Sequence, residues 1–226
     1  MKNKVGYFWM NEVHSLISLP PRPLTLPYAG QVKHCPAIRD GIKNMYEILC
    51  PYDINLKFDS FDELGNCNLT LNRHGSSLRD SAFDTFIYIM PVERWMDKKK
   101  PLIQLHIQLC FVSDKRGSTL ELTPAYMNYN TNPTRGVCTL LRYYDWIRPI
   151  QYAVEWCDTT KPIIFKRGDP LAYVKFNEDV ELREIPATDQ LMKIMNRNLE
   201  AKEFINHLSD HVMMMAGRTR PKHLMP

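Results

Sequence analysis

Apolar and polar residues alternate along much of the middle of the chain, most regularly between residues 103 and 111. In this run the odd-numbered positions are apolar, while the even-numbered positions carry Gln104, His106, Gln108 and Cys110. Because successive side chains of a β-strand point to opposite faces, a strict period of two predicts a strand with one buried face. Shorter runs predict further strands over residues 54–58, 68–71, 85–90, 119–123, 137–144, 152–156, 162–166, 171–176 and 180–185.

Two turn signals lie between neighbouring strand candidates. One is the segment 114–118, which separates the run 103–111 from 119–123. The other is Arg167-Gly168-Asp169-Pro170, which separates 162–166 from 171–176. Glycine and proline in such places are typical of tight connections between antiparallel strands. We therefore expect each pair of strands to form a β-hairpin.

The hydrophobic period changes near both ends of the predicted β region. After Pro186, apolar residues recur every three or four positions, which predicts one or two amphipathic helices; they are Leu191, Ile194, Met195, Leu199, Phe204, Ile205, Leu208 and Val212. A similar spacing predicts a short helix from Pro36 to about Tyr46, and proline suits its first position.

Four prolines between residues 20 and 27 exclude a helix or a central strand there, because proline fixes φ and lacks an N–H donor. We predict an extended Pro-rich arm over 1–34, a β-rich domain over 35–186, and a helical C-terminal segment with a basic tail over 187–226. The expected fold is mainly β, an antiparallel β-sandwich of jelly-roll or cupin-like type, because strands followed by helices favour a two-layer domain.

Composition is that of an ordinary globular protein. The chain has 226 residues, 44% of them hydrophobic and 24% charged, and a formal net charge of +4. Its basic residues are dispersed, which does not favour a nucleic-acid partner. No apolar run reaches the roughly 18 residues that a membrane span needs, and no secretory signal is evident. The six cysteines have wide, irregular spacings, so we expect reduced thiols rather than a disulfide framework.

The polar face of the 103–111 strand is the first candidate site. It carries Gln104, His106 and Gln108. A non-haem iron centre needs two histidines and a carboxylate, whereas here the neighbours of the single histidine are neutral amides. We therefore predict no catalytic residue and no cofactor; if Fe(II) or Zn is bound, His106 is the expected ligand.

Charged residues set among aromatic residues form the second candidate site. Charges in such surroundings must pair, either in a structural network or around a polar ligand. The residues concerned are Arg142, Asp145, Trp146, Arg148, Glu155, Trp156 and Arg167. An alternative interpretation is that the aromatic rings of 142–156 stack on single-stranded nucleic acid beside Arg142 and Arg148.

A series of short motifs lies between residues 35 and 176. They include Cys35-Pro36, Leu49-Cys50-Pro51-Tyr52-Asp53, Asp145-Trp146 with Arg148-Pro149, Glu155-Trp156, and Arg167-Gly168-Asp169-Pro170 with Phe176. Pro101 with Gln104, and Arg39-Asp40, belong to the same set. In their order and spacing these motifs resemble an uncharacterised protein family of tailed phages, notably T4-like phages of marine bacteria. The resemblance implies a phage origin and a compact β-rich domain, and it supplies no activity.

These features together favour a phage accessory or virion-associated binding protein without catalytic activity. We expect it to act as an oligomer, with the N-terminal arm and the C-terminal helices contacting a protein partner or a second copy, and no membrane partner. The expected location is the cytoplasm of the bacterial host or the phage particle. A jelly-roll, metal-dependent oxygenase of the iron/2-oxoglutarate type and a single-stranded nucleic-acid-binding module are the alternatives.

Overall fold

The computed structural model describes residues 2–10, 16–25, 34–128, 132–204 and 224–225, and for 201–204 it describes the backbone. Its largest sheet has six strands, in the order β14 (Val180–Glu184), β1 (Asn3–Trp9), β7 (Leu102–Val112), β11 (Pro149–Trp156) and β9 (Thr134–Gly136), with β6 (Ile87–Ile89) also pairing with β7. We call it the first sheet.

Two smaller sheets complete the β structure. The second sheet has five strands, in the order β10 (Thr139–Leu141), β8 (Leu120–Pro124), β13 (Pro170–Phe176), β3 (Met45–Leu49) and β2 (Arg22–Pro23). The third sheet has three strands, in the order β12 (Ile163–Phe165), β4 (Ile54–Phe61) and β5 (Cys67–Leu71).

Three α-helices accompany the sheets within the described ranges: α1 (Pro36–Ile42), α2 (Asp80–Phe86) and α3 (Asp189–Phe204). The predicted N-terminal helix is confirmed but ends at Ile42, because Asn44 adopts a left-handed φ of 61° and the chain then enters β3. Short 3₁₀ turns cover Arg73–Gly75 and Val92–Arg94. None of the helices in these ranges has the length and apolar character needed to cross a bilayer.

The mainly β fold predicted from the alternation is confirmed. Apolar side chains from one face of β7 enter a core that they share with strands of the second and third sheets, as in a β-sandwich. These side chains are Ile103, Leu105, Ile107, Leu109 and Phe111. One pairing departs from the antiparallel expectation, since β1 runs parallel to β14. The jelly-roll or cupin-like type stays a prediction.

The opposite face of β7 is also buried toward its end, under α3. Cys110 and Val112 pack there against Leu191, Ile194 and Met195 of the helix. Buried Asn198 donates its side-chain N–H to the carbonyl of Ile147, 3.0 Å away. The predicted amphipathic helix is therefore confirmed over Asp189–Phe204, and its apolar stripe covers the chain's own sheet. The side chains of the predicted continuation, Phe204, Ile205, Leu208 and Val212, lie outside the described residues.

Neither predicted hairpin forms. Strand β7 belongs to the first sheet and β8 to the second, while β12 belongs to the third sheet and β13 to the second. Both turns therefore carry the chain from one sheet to another. A turn signal specifies that the chain reverses direction, but the pairing of each strand depends on which sheet buries its apolar face.

The predicted extended arm over 1–34 is wrong for residues 3–9. Residues Asn3–Trp9 form β1, an inner strand of the first sheet between β14 and β7. The described part of the Pro-rich segment lies on its own domain: β2 pairs with β3, and Leu24 is buried beside Met45 and Tyr173. Proline is tolerated in β2 because this strand lies at a sheet edge.

Candidate functional site

The polar face of β7 lies on the outer side of the first sheet. Gln104 is opposite Tyr88 of β6, and His106 is opposite Gln151 of β11. The rings of Tyr88 and His106 stack with centroids 5.8 Å apart. Gln108 has a left-handed φ of 57°, at a register irregularity between β7 and β11, and its amide lies 3.4 Å from the carbonyl oxygen of Thr85.

This polar face does not assemble a metal centre. Across residues 2–10, 16–25, 34–128, 132–200 and 224–225, no three histidine, cysteine or carboxylate side chains converge on one point. The facial triad that an iron oxygenase needs is therefore not formed around His106 by these residues.

The second predicted set does not form one network. Glu155 is buried and pairs with Arg135 of β9 at 2.7 Å, and none of the ion pairs of the described residues joins Asp145, Arg148, Glu155 or Arg167 to another of the four. Arg148 is half-buried, and this burial lowers the pKa of its guanidinium. Cross-strand register explains the partner of Glu155, because Arg135 lies directly opposite it on β9.

Two other residues of that set have structural roles. Trp156 is fully buried, and its indole N–H lies 3.0 Å from the carbonyl oxygen of Asp158 and 3.1 Å from that of Lys161. The Arg167 guanidinium donates to the carbonyls of Ile17 and Pro51, so it fastens the N-terminal segment to the domain.

The rings of the 142–156 segment are largely buried too. Tyr143, Tyr152 and Trp156 belong to the main core, and Arg142 is exposed while Trp146 is half-buried. A base-stacking platform needs several exposed rings beside cations. This segment does not present one.

A cavity that the sequence did not indicate lies where the three sheets meet. Its volume is about 170 Å³, and segments from β8, β9, β11, β12 and β13 line it. Its apolar lining residues include Pro124, Val154, Phe165, Pro170 and Leu171, and its polar lining residues are Tyr126, Asn128, Asn132, Thr134 and Tyr152. None of the described residues that line it carries a charge.

Tyr152 is the most unusual residue of this wall. Its side chain is only 3% exposed, and its residue lines the cavity beside Gly136. Burial is the main cause that raises the pKa of its hydroxyl, with a smaller contribution from nearby Cys138. A protonated hydroxyl at a cavity wall can donate a hydrogen bond and accept others.

Gly136 makes room for that hydroxyl. A Cβ atom at position 136 would lie 1.8 Å from Tyr152 Oη and 2.8 Å from Pro124 Cγ, which no side chain tolerates. Both contacts belong to residues that line the cavity. Glycine on β9 therefore fixes where the hydroxyl lies, at the wall of the cavity.

Asn132 holds the wall in place from the other side. Its side-chain amide exchanges two hydrogen bonds of 2.6 Å with the backbone of Ile164 on β12. In this way it acts like one more residue of a neighbouring strand along the edge of the third sheet. The cavity is thus bounded by fixed backbone rather than by surface side chains alone.

One sequence signal could have pointed to this region. Residues 122–134 carry no charged side chain and are rich in asparagine, threonine and tyrosine, in a chain of which 24% is charged. An uncharged segment of this composition is typical of binding surfaces that use adaptable polar contacts.

No protein-family model matches the chain, and no curated protein matches it. The resemblance to a phage family therefore stays a prediction, and the functional argument depends on the geometry of the molecule.

Proposed function

We propose that the protein is a binding protein without catalytic activity, and that the cavity at Tyr152 holds a small uncharged ligand. The observation that carries this proposal is the cavity of about 170 Å³ among strands of the three sheets, where Gly136 leaves space for the hydroxyl of Tyr152. A ligand in this cavity can hydrogen-bond to that hydroxyl.

The chemistry of the wall favours binding over catalysis. Its described residues include no histidine, cysteine, lysine or carboxylate, the groups that most often transfer protons or form covalent intermediates. Because burial raises the pKa of Tyr152, its hydroxyl stays protonated at neutral pH. It is then a neutral hydrogen-bonding group rather than a base.

Two variants test the cavity. Tyr152→Phe removes only the hydroxyl, and Gly136→Ala places a methyl group where that hydroxyl lies. We expect both to weaken binding of uncharged six-membered-ring probes about tenfold or more, measured by ligand-observed NMR on the full chain. Gly41→Ala is the matched control, since no other residue lies within 4 Å of a Cβ there. Wild-type protein that binds none of the probes contradicts the proposal.

The proposal includes self-association, in keeping with a phage accessory or virion-associated protein of the host cytoplasm or the particle. The apolar stripe of α3 and Leu24 are buried within the chain itself, whereas Leu16 of the N-terminal segment is 83% exposed. Self-association through this segment would bury Leu16.

Light scattering after size-exclusion chromatography tests the oligomer. We expect the wild-type chain to exceed the monomer mass at micromolar concentration and Leu16→Ser to shift toward it. A wild-type monomer contradicts this part of the proposal. Deletion of residues 1–30 is unsuitable, because it removes the inner strand β1.

A further inference from the structure

We infer that the ligand of the Tyr152 cavity is a neutral sugar ring, so that the protein recognises uncharged glycans. This inference depends on the proposed binding function and specifies its ligand. It is carried by four properties of the site, namely the size of the cavity, the mixed polar and apolar chemistry of its lining, its lack of charge, and an exposed tyrosine among the lining residues.

The size of the cavity matches a single ring. Its volume is about 170 Å³, and a cavity of about 150 Å³ in another protein accommodates benzene. One six-membered ring therefore fills this space, and a fused or extended ring system does not. In a longer ligand, the part beyond this ring has to extend out through the open side of the cavity.

The mixed lining of the cavity favours a ligand with both polar and apolar surfaces. Asn128, Thr134 and Tyr152 supply amide and hydroxyl groups, which donate and accept hydrogen bonds. Pro124, Val154 and Phe165 supply apolar contact. A hydrocarbon ring leaves the polar groups unpaired, whereas a sugar ring has hydroxyl groups around its edge and C–H groups on its faces.

The absence of charge in the lining separates neutral sugars from anionic ring compounds. Nucleotides and acidic sugars carry anionic groups, whose burial requires a cation or several N–H donors. The described wall contains no arginine or lysine, and none occurs anywhere in the sequence from 122 to 134. The nearby cation Arg135 is already paired with Glu155. The site therefore favours a ligand without phosphate or carboxylate.

Tyr126 provides a surface for a second sugar. It lines the cavity, yet its side chain is 59% exposed. Its ring is held edge-to-face against Tyr173 with centroids 5.4 Å apart, and its hydroxyl lies 3.8 Å from the sulfur of Met45. A ring fixed in this way presents an apolar surface beside the cavity mouth, where the next sugar of a glycan can pack.

The experiment is an NMR titration of the full chain with methyl glycosides of glucose, galactose, mannose and N-acetylglucosamine, and with the disaccharides maltose, lactose and chitobiose. Parallel titrations use uridine, uridine monophosphate, glucuronic acid and phenol. We expect at least one neutral sugar to bind, its disaccharide to bind more tightly, and the two acidic compounds to bind at least tenfold more weakly.

Variants locate the site. Tyr152→Phe should weaken binding of the monosaccharide about tenfold, and Tyr126→Ala should weaken binding of the disaccharide more than that of the monosaccharide. Tyr88→Ala, which removes an exposed ring on the outer face of the first sheet, is the control and should change neither. Thermal unfolding of each variant establishes that it is folded.

The outcomes separate the inference from the function on which it rests. Binding of uridine or phenol at Tyr152 without binding of any sugar overturns the sugar assignment and leaves the binding function standing. Sugar binding that Tyr152→Phe and Gly136→Ala leave unchanged overturns the assignment too, because the site then lies elsewhere. Failure of every probe overturns both.

Discussion

At the scale of single residues, Tyr152 and Gly136 show how keeping a cavity open limits stability. Gly136 leaves space for the hydroxyl of Tyr152, since a Cβ at position 136 would lie 1.8 Å from Tyr152 Oη. Glycine inside a strand lowers stability, usually by about 0.5–1 kcal/mol relative to alanine. The proposed ligand would explain why the chain keeps this space open.

This interpretation makes a prediction about two buried tyrosines. Tyr152→Phe should leave the free energy of unfolding unchanged or raise it by up to about 1 kcal/mol, because no described hydrogen bond is lost. Tyr143→Phe should lower it by about 1 kcal/mol, since the Tyr143 hydroxyl lies 3.3 Å from Glu178 Oε1. Urea denaturation measures both. A larger loss for Tyr152→Phe than for Tyr143→Phe would contradict our account.

At the scale of elements, α3 turns the end of β7 into a strand buried on both faces. The alternation of residues 103–111 predicted one buried face, and the periodicity after Pro186 predicted an amphipathic helix. Neither pattern predicted that the helix covers the even-numbered face of β7 at Cys110. Periodicity identifies a buried face, but it does not say which element covers it.

Met195 tests the contact between α3 and the sheet. It is fully buried, and its sulfur lies 3.5 Å from that of Cys110. Met195→Ala should lower the free energy of unfolding by about 2–5 kcal/mol, because it leaves a cavity under the helix. Asn196→Ala, at the exposed neighbouring position, is the control and should change it by less than about 0.5 kcal/mol. Equal effects of the two substitutions would argue against this packing.

Glu178 connects turns at one end of the sandwich. Its carboxylate accepts hydrogen bonds from Asn3 Nδ2 at 3.0 Å and Ser118 Oγ at 2.7 Å, and it pairs with Lys115. Burial opposes ionisation of this carboxyl, but Lys115, Ser118 and Asn3 together outweigh burial and lower its pKa. The folded state therefore favours the charged form.

Acid should remove this contribution. Since the pKa of Glu178 is lower in the folded than in the unfolded chain, its stabilisation is complete above about pH 4.3 and is lost as pH falls through the folded-state pKa. Glu178→Gln should cost about 1–3 kcal/mol at pH 7 and progressively less in acid. Denaturation curves at several pH values measure this, with exposed Glu93→Gln as control. A difference independent of pH would be inconsistent with this role.

At the scale of the whole molecule, the sequence predicts the composition of the fold better than its connections. The mainly β architecture, the short N-terminal helix and the C-terminal helix follow from local periodicity. Contacts between distant segments determine the sheet to which β8 or β13 belongs. They also determine the entry of β1 into the first sheet. The cavity escaped prediction for the same reason, because its wall combines residues from 124–128, 132–136, 152–154 and 165–171.

The reactivity of the cysteine thiols tests the whole fold. All six cysteines are free; Cys50, Cys67 and Cys110 are buried, whereas Cys35, Cys138 and Cys157 are partly or fully accessible. Burial raises the pKa of Cys50 to about 12 and that of Cys67 to about 11. A chromogenic disulfide reagent should therefore modify the three accessible thiols promptly and the other three only on unfolding. Prompt reaction of all six would contradict the buried core.

The position of β1 has a consequence for synthesis of the protein. This strand leaves the ribosome well before its neighbours in the sheet, which are residues 109–112 and 180–184. At about 5–20 residues per second, roughly 10–35 s separate the synthesis of β1 from that of β14. During this interval an apolar strand lacks one or both of its pairing partners. The first sheet closes only after β14 has been synthesised, so conditions that slow elongation prolong the period in which β1 can aggregate.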